Sequence, residues 1–225
     1  MLIAENIIKT YRSGSDSFTA LNNVNLNISA NDCLAITGKS GSGKSTLMHL
    51  LACLDSPTSG DILFEGVKLS TLSEKELNSF RNKTFGFIFQ QFFLNGRDTV
   101  LENVIMPLKI GGVSKKERKA KAEKYLEVVG LQDKAKKQAK DLSGGEKQRV
   151  CIARAMVSEP KVIFADEPTG NLDSYTSEMI ENELFALNSS RKIALIIVTH
   201  DKELAQKCTR RIELKDGEIL AEDSI

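Results

Sequence analysis

Cys33-Leu34-Ala35-Ile36-Thr37-Gly38-Lys39-Ser40-Gly41-Ser42-Gly43-Lys44-Ser45-Thr46 joins a short apolar run to a glycine-rich turn and then to a helical stretch. Residues 38–45 match G-x-x-x-x-G-K-[ST] in the context that gives the motif meaning, a strand before it and a helix after it. Glycines let the backbone curl, so that successive N–H groups and the helix N-terminus point at phosphate oxygens. Gly38, Lys39, Ser40, Gly41, Ser42, Gly43 and Thr46 are the candidate cradle. Lys44 is placed to reach the β- and γ-phosphates, and the Ser45 hydroxyl to help hold Mg²⁺. A plain Gly/Ser turn before a helix is the bland alternative, and it does not explain the full match. The run therefore implies a nucleoside-triphosphate site, without saying what the nucleotide drives.

Val162-Ile163-Phe164-Ala165-Asp166-Glu167 is an apolar strand that ends in two adjacent carboxylates. Beside bound phosphates, Asp166 can orient Mg²⁺ and Glu167 can act as general base on the attacking water. Alone, an acidic strand end says little; together with the glycine loop it is specific.

The rest of the chain fits around these two runs. Leu2 to Tyr11 reads as extended, Val24 to Ile28 alternates like a strand with one wet face, and Lys44 to Leu54 reads as a helix. Pro57 to Gly60 is a turn before a strand at Asp61 to Phe64. Ser73 with Glu76 forms a capping-box pattern, and Phe85 to Phe89 is a further strand. From Thr99 to Val157 the period is helical, with Gly130 as a stop. Helix Ser174 to Leu187, strand Ile193 to Val198, a last helix and two short strands follow. Strand–helix alternation at both ends implies an α/β protein with a mainly parallel sheet, and the middle implies an α-helical insertion.

Composition sets the outer limits. The 225 residues suit one large domain, and 41% hydrophobic with 27% charged residues is ordinary globular usage. Thirty-one Lys+Arg against 30 Asp+Glu leave a net charge of +1, so global electrostatics gives no case for nucleic acid. No apolar run approaches the ~18 residues of a membrane span, and the N-terminus lacks a signal-peptide core. Cys33, Cys53, Cys151 and Cys208 have no metal-ligand spacing and read as small buried hydrophobes of a reducing compartment, the cytoplasm.

Leu142-Ser143-Gly144-Gly145-Glu146, followed by Lys147-Gln148-Arg149, resembles the signature motif of ABC-type ATPases. Gln90 resembles their Q-loop glutamine, Asn171-Leu172-Asp173 their D-loop, and His200 their H-loop. Tyr11 lies 33 residues before Lys44, where the family carries an adenine-stacking aromatic. The resemblance covers the whole chain with the motifs in family order. It implies a P-loop NTPase, RecA-like core (1–90 and 158–225) with an N-terminal antiparallel β subdomain and an inserted helical subdomain (91–157) carrying the signature. It implies ATP and Mg²⁺ as ligands, with Ser45, Gln90 and Asp166 on the metal. Glu167, Gln90 and His200 become the catalytic residues, and Ser143, Gly144, Gly145 and Glu146 serve the ATP of a second, identical subunit, with Asp173 in the D-loop. Blander roles remain beside these: Tyr11 as a core aromatic, Gln90 as a turn residue, His200 as a strand-end cap. His49 reads as structural.

Glu146 departs from the commoner Gln of the motif and is expected to point aside, because a carboxylate facing a triphosphate would repel it. Leu54–Gly60, Asp166–Ser174 and Leu101–Val104 resemble the macrolide-exporter and lipoprotein-release (MacB/LolD) branch, whereas Phe92-Phe93-Leu94-Asn95-Gly96 departs from it. Between Ser114 and Lys140, ten Lys/Arg against four acids give +6, leaving −5 elsewhere. A solvated helix face is the first reading, an anionic membrane leaflet the second, and a nucleic-acid groove the third. The expectation is an ATP-hydrolysing subunit of a transporter, cytoplasmic and peripheral on the inner membrane face through a separate permease, with no nucleic acid. The competing class is a soluble ABC ATPase acting on DNA or ribosomes. Against it, only 52 residues separate Gln90 from Leu142, too few for a chromosome-type coiled coil, and a single cassette is unlike the translation type.

Overall fold

The computed structural model describes residues 1–14 and 16–224. They divide into two compact units, Met1–Arg81 with Ala194–Ile225, and Asn82–Ile193.

In the first unit, β1 (Leu2–Ser13) pairs antiparallel with β2 (Asp16–Ile28) and with β4 (Ser59–Phe64), and β5 (Val67–Lys68) closes that sheet. This is the expected N-terminal antiparallel subdomain. A second layer is built on β3 (Cys33–Gly38), parallel to β8 (Ala194–Val198) on one side and to β9 (Arg210–Lys215) on the other. β10 (Glu218–Ser224) joins β9 antiparallel. β8 is buried at every position, as a strand covered on both faces requires. Helix α1 (Lys44–Leu51) packs on β1, β2, β3 and β8 through Leu47, Met48, Leu50 and Leu51, each at 0% exposure. Burial of that face stabilises by about 1.5–3 kcal/mol per side chain.

α1 ends three residues earlier than its apolar pattern suggests, because Ala52 leaves helical geometry and Cys53 takes φ 54°. α2 (Glu74–Thr84) begins with the expected capping box, Ser73 N–H donating to Glu76 at 2.9 Å and Glu76 N–H to Ser73 Oγ at 3.4 Å. α7 (Lys202–Gln206) is capped by Asp201.

In the second unit, β6 (Phe85–Ile88) runs parallel to β7 (Val162–Asp166). Phe164 of β7 meets Phe85 edge-on at 5.2 Å and stacks on Phe87 at 5.9 Å. α5 (Gly144–Met156) packs on β6, and α3 (Val100–Ile110), α4 (Lys115–Val128) and α6 (Ser174–Arg191) pack on α5. α4 stops where expected, with Gly130 at φ 66° just beyond it. α6 runs four residues past its expected end because Leu187 and Asn188 still face the interior, and Lys192 in left-handed geometry closes it. All four cysteines are buried and reduced.

Candidate nucleotide-binding and hydrolytic site

In the first unit β3 delivers the chain into the glycine loop. Gly38, Gly41 and Gly43 adopt φ values of 142°, 79° and 103°, conformations costly for any residue with a Cβ. At two of them space forbids a side chain as well: a Cβ on Gly38 would lie 2.2 Å from the Leu214 carbonyl oxygen, and one on Gly43 2.6 Å from that of Ala20. Gly43 is the N-cap of α1 and offers no side-chain acceptor, so the first-turn N–H groups stay open toward an anion. The Lys44 ammonium donates to the carbonyls of Gly38 (2.8 Å) and Lys39 (2.9 Å), which holds it over the loop. Ser42 Oγ is buried without a hydrogen-bond partner among the described residues. A curled, donor-rich loop with a lysine folded over it fits a polyphosphate.

Tyr11, Ser40, Gly41, Gly43, Lys44, Ser45 and Thr46 line one groove of about 270 Å³. Tyr11 is 43% exposed, so it is not a core residue. Its hydroxyl donates to Asp55 at 3.1 Å, and the Lys9 ammonium sits 4.9 Å from its ring centre. Phe18, 60% exposed, shares the groove and was not singled out by the sequence motifs. It is the cross-strand partner of Tyr11 in the β1–β2 register, a pairing that only the strand alignment reveals. His200 is exposed just past β8, beyond Thr199, whose N–H donates to Ile36 of β3 at 3.2 Å.

In the second unit β7 ends at Asp166, and Glu167 follows in left-handed backbone, φ 45°. Both carboxylates are half-buried. Gln90 follows β6, and its backbone oxygen accepts from the Asn171 amide at 2.9 Å. A Cβ on Gly170 would lie 3.1 Å from Gln90 Nε2 and 3.5 Å from Glu167 Cβ, so Gln90, Glu167 and Gly170 share one neighbourhood. The backbone of Phe92 and Phe93 is pinned to α5: Arg154 donates to the two carbonyls at 2.9 and 2.8 Å, and the Cys151 thiol donates to Phe92 at 3.2 Å.

Ser143 caps α5. Its Oγ accepts from Glu146 N–H at 3.3 Å, while Glu146 Oε2 accepts from Ser143 N–H at 3.0 Å. The other Glu146 oxygen takes an ion pair from Lys134, which holds the carboxyl below its usual range. The carboxylate is thus spent within its own unit, consistent with its expected aim aside. A Cβ on Gly145 would lie 2.4 Å from Thr176 Cγ2, so the signature turn lies hard against α6. Asp173 caps α6, accepting from Thr176 N–H at 3.0 Å and its hydroxyl at 2.7 Å, and these bonds lower its pKa. Lys134, Arg154 and Asp55 support the motif residues through pairings that the sequence does not show.

Among the described residues no group of three or more His, Cys, Asp and Glu is placed to hold a metal ion. No helix among the described residues is long and apolar enough to cross a membrane.

The sequence pattern of the family described as ABC transporter matches residues 21–170. The chain is 44% identical over 224 residues to the ABC transporter ATP-binding protein YknY of Bacillus subtilis (strain 168), covering 100% of this chain and 97% of that one. It is also similar to the dimeric structure of MJ0796, a bacterial ABC transporter cassette, with TM-score 0.91 and 42% identity over 100% of this chain and 98% of that one. A dimeric post-hydrolysis state of the same cassette, bound to ADP and Pi, gives TM-score 0.91 at 41% identity, with 100% and 98% coverage. CbiO1 of Clostridium perfringens, part of the transporter complex cbiONQ, gives 0.87 at 30%, covering 99% of this chain and 88% of that one.

Proposed function

Since the chain belongs to the ABC transporter family and is an ATP-binding, ATP-hydrolysing cassette, we propose that it works as an ATP-driven dimer on a separate membrane permease. In this reading residues 1–90 and 158–225 form the nucleotide-binding core and 91–157 the helical subdomain. Tyr11 stacks on adenine, residues 38–46 cradle the phosphates, and Lys44 neutralises the β- and γ-oxygens. Ser45, Asp166 and Gln90 hold Mg²⁺, which when bound offsets the charge of the phosphates. Glu167 accepts the proton of the attacking water and His200 orients the γ-phosphate end. Ser143, Gly144 and Gly145 present N–H groups and a hydroxyl to the ATP of the second subunit, Glu146 fixes that turn from behind, and Asp173 anchors the D-loop.

The observation that carries the reading is the glycine loop, whose positive-φ turns, excluded Cβ positions and overlying Lys44 suit a polyphosphate and little else. For the permease, support comes from the second unit. Phe93 is 66% exposed at φ 45°, and a separate groove of about 380 Å³ is lined by Leu101, Ile105 and Met106 with both acidic (Asp98, Glu102) and basic (Lys109, Lys115, Arg118, Lys119) side chains. A groove that mixes apolar side chains with charges of both signs, bases in excess, suits a short amphipathic permease segment, which would hold the cassette at the inner membrane face. The quoted runs 54–60 and 166–174 support the macrolide-exporter and lipoprotein-release branch.

Glu167→Gln tests the reading. Hydrolysis is expected to fall on the order of 10²–10⁴-fold, and ATP to trap a dimer on size-exclusion chromatography. A monomer with and without ATP would contradict the shared-site dimer.

A further inference from the structure

Gln148 lies inside α5, one turn beyond the signature glycines, and is only 1% exposed. A buried carboxamide is costly unless its polar atoms find partners, and a leucine of similar volume would fill the same space without that cost. Only half of the amide is satisfied. Its Nε2 donates to the Pro168 carbonyl, whereas its Oε1 has no partner among the described residues. The orientation follows from chemistry, because a carbonyl can only accept.

The bond lands one residue past Glu167. That residue sits at φ 45°, and a following proline pushes its predecessor toward extended backbone. Glu167 is therefore held away from its preference on two counts, and such geometry persists only where the surroundings impose it. The Gly170 N–H, donating to the Glu167 carbonyl at 3.2 Å, braces the loop on one side. Gln148 braces the next peptide from the helix.

We propose that Gln148 is a positioning residue for hydrolysis: by holding the Pro168 carbonyl it fixes the backbone that aims the Glu167 carboxylate. The proposal rests on Glu167 being the general base. It also explains why a polar side chain occupies a core position of α5.

The test is the steady-state ATPase of the whole chain with Mg-ATP, in four forms: wild type, Gln148→Leu, Glu167→Gln and the double variant. Gln148→Leu is expected to lower kcat roughly 10–100-fold, the scale of a misplaced catalytic group, with KM and ATP affinity within twofold of wild type. In the double variant it is expected to add nothing to the loss from Glu167→Gln, because a residue acting through the base has no effect once the base is gone. A kcat for Gln148→Leu within twofold of wild type overturns the proposal, as does an additive loss or a parallel loss of nucleotide affinity. A wild-type rate for Glu167→Gln would instead overturn the general-base reading. Should Gln148→Leu not fold, Gln148→Asn, whose amide is one methylene too short to reach Pro168, takes its place under the same criteria.

Discussion

Glu183 on α6 gives a prediction in which pH does the discriminating. Its side chain borders a cavity of about 240 Å³ lined by Val128, Val129, Ile152 and Leu187 with Ser190 and Arg191, and its Oε2 is buried without a hydrogen-bond partner among the described residues. Burial pushes the carboxyl up from 4.5 to about 7, against the opposing pull of Arg149 on α5. The unfolded chain gives up this proton near 4.5 while the folded chain keeps it to about 7. Stability is therefore lost as pH rises through that window and stays low above it. A shift of this size corresponds to about 3 kcal/mol, which partial contact with solvent trims to about 2 kcal/mol. Glu183→Gln keeps the shape and removes the ionisation. The variant is expected to melt about 4–8 °C above wild type at pH 8, at 2–4 °C per kcal/mol for a chain of this length. At pH 5, where the folded wild type is itself protonated, the gain should shrink to less than half. Thermal denaturation followed by circular dichroism at the two pH values, with ionic strength fixed and no nucleotide, provides the measurement. An equal gain at both pH values, or a loss at pH 8, would refute a buried, desolvated carboxyl as the cause.

Lys44→Ala should weaken Mg-ATP binding in a calorimetric titration by roughly 10–100-fold, the worth of a charge-assisted hydrogen bond; unchanged affinity would remove the loop from the nucleotide site. Gly145→Ala should destabilise by about 1–3 kcal/mol through overpacking on Thr176, and that cost should largely vanish with Thr176→Ser, which keeps the hydroxyl bonded to Asp173 but lacks the obstructing methyl. An equal melting loss in both backgrounds would place the strain elsewhere. Phe93→Ser should leave folding and basal hydrolysis intact while loosening permease co-purification by roughly 10-fold or more, since burying such a ring stabilises by about 1.5–3 kcal/mol; loss of folding would show instead that the ring belongs to the core.

What could be read in advance follows from the range of the interactions. Phosphate binding needs consecutive backbone N–H groups on one turn, so residues 38–46 stand together in the sequence. β3, β7 and β8 are buried on both faces and read as plain apolar runs. β2 was harder: between Asp16 and Thr19 the strand is exposed, so polar residues on both faces erase the alternation that marks 24–28. Its partner β1 is interrupted by register shifts after Ala4, Ile7 and Lys9, which blur the period further. Beyond the motifs, support comes from pairs far apart in sequence: Asp55 with Tyr11, Arg154 with Phe92 and Phe93, Lys134 with Glu146, Gln148 with Pro168. Asp55, Arg154, Lys134 and Gln148 taken alone are ordinary polar residues, and only folding brings each to its partner.

The Lys134–Glu146 ion pair has a consequence for inheritance. A glutamine at 146 could still close the capping box with Ser143, yet it would leave the Lys134 ammonium without its counter-charge beside the helix start. A lysine lost at 134 would return a full negative charge to the mouth of α5. Exchanging either residue alone therefore changes the net charge at the start of α5, whereas exchanging both together preserves it.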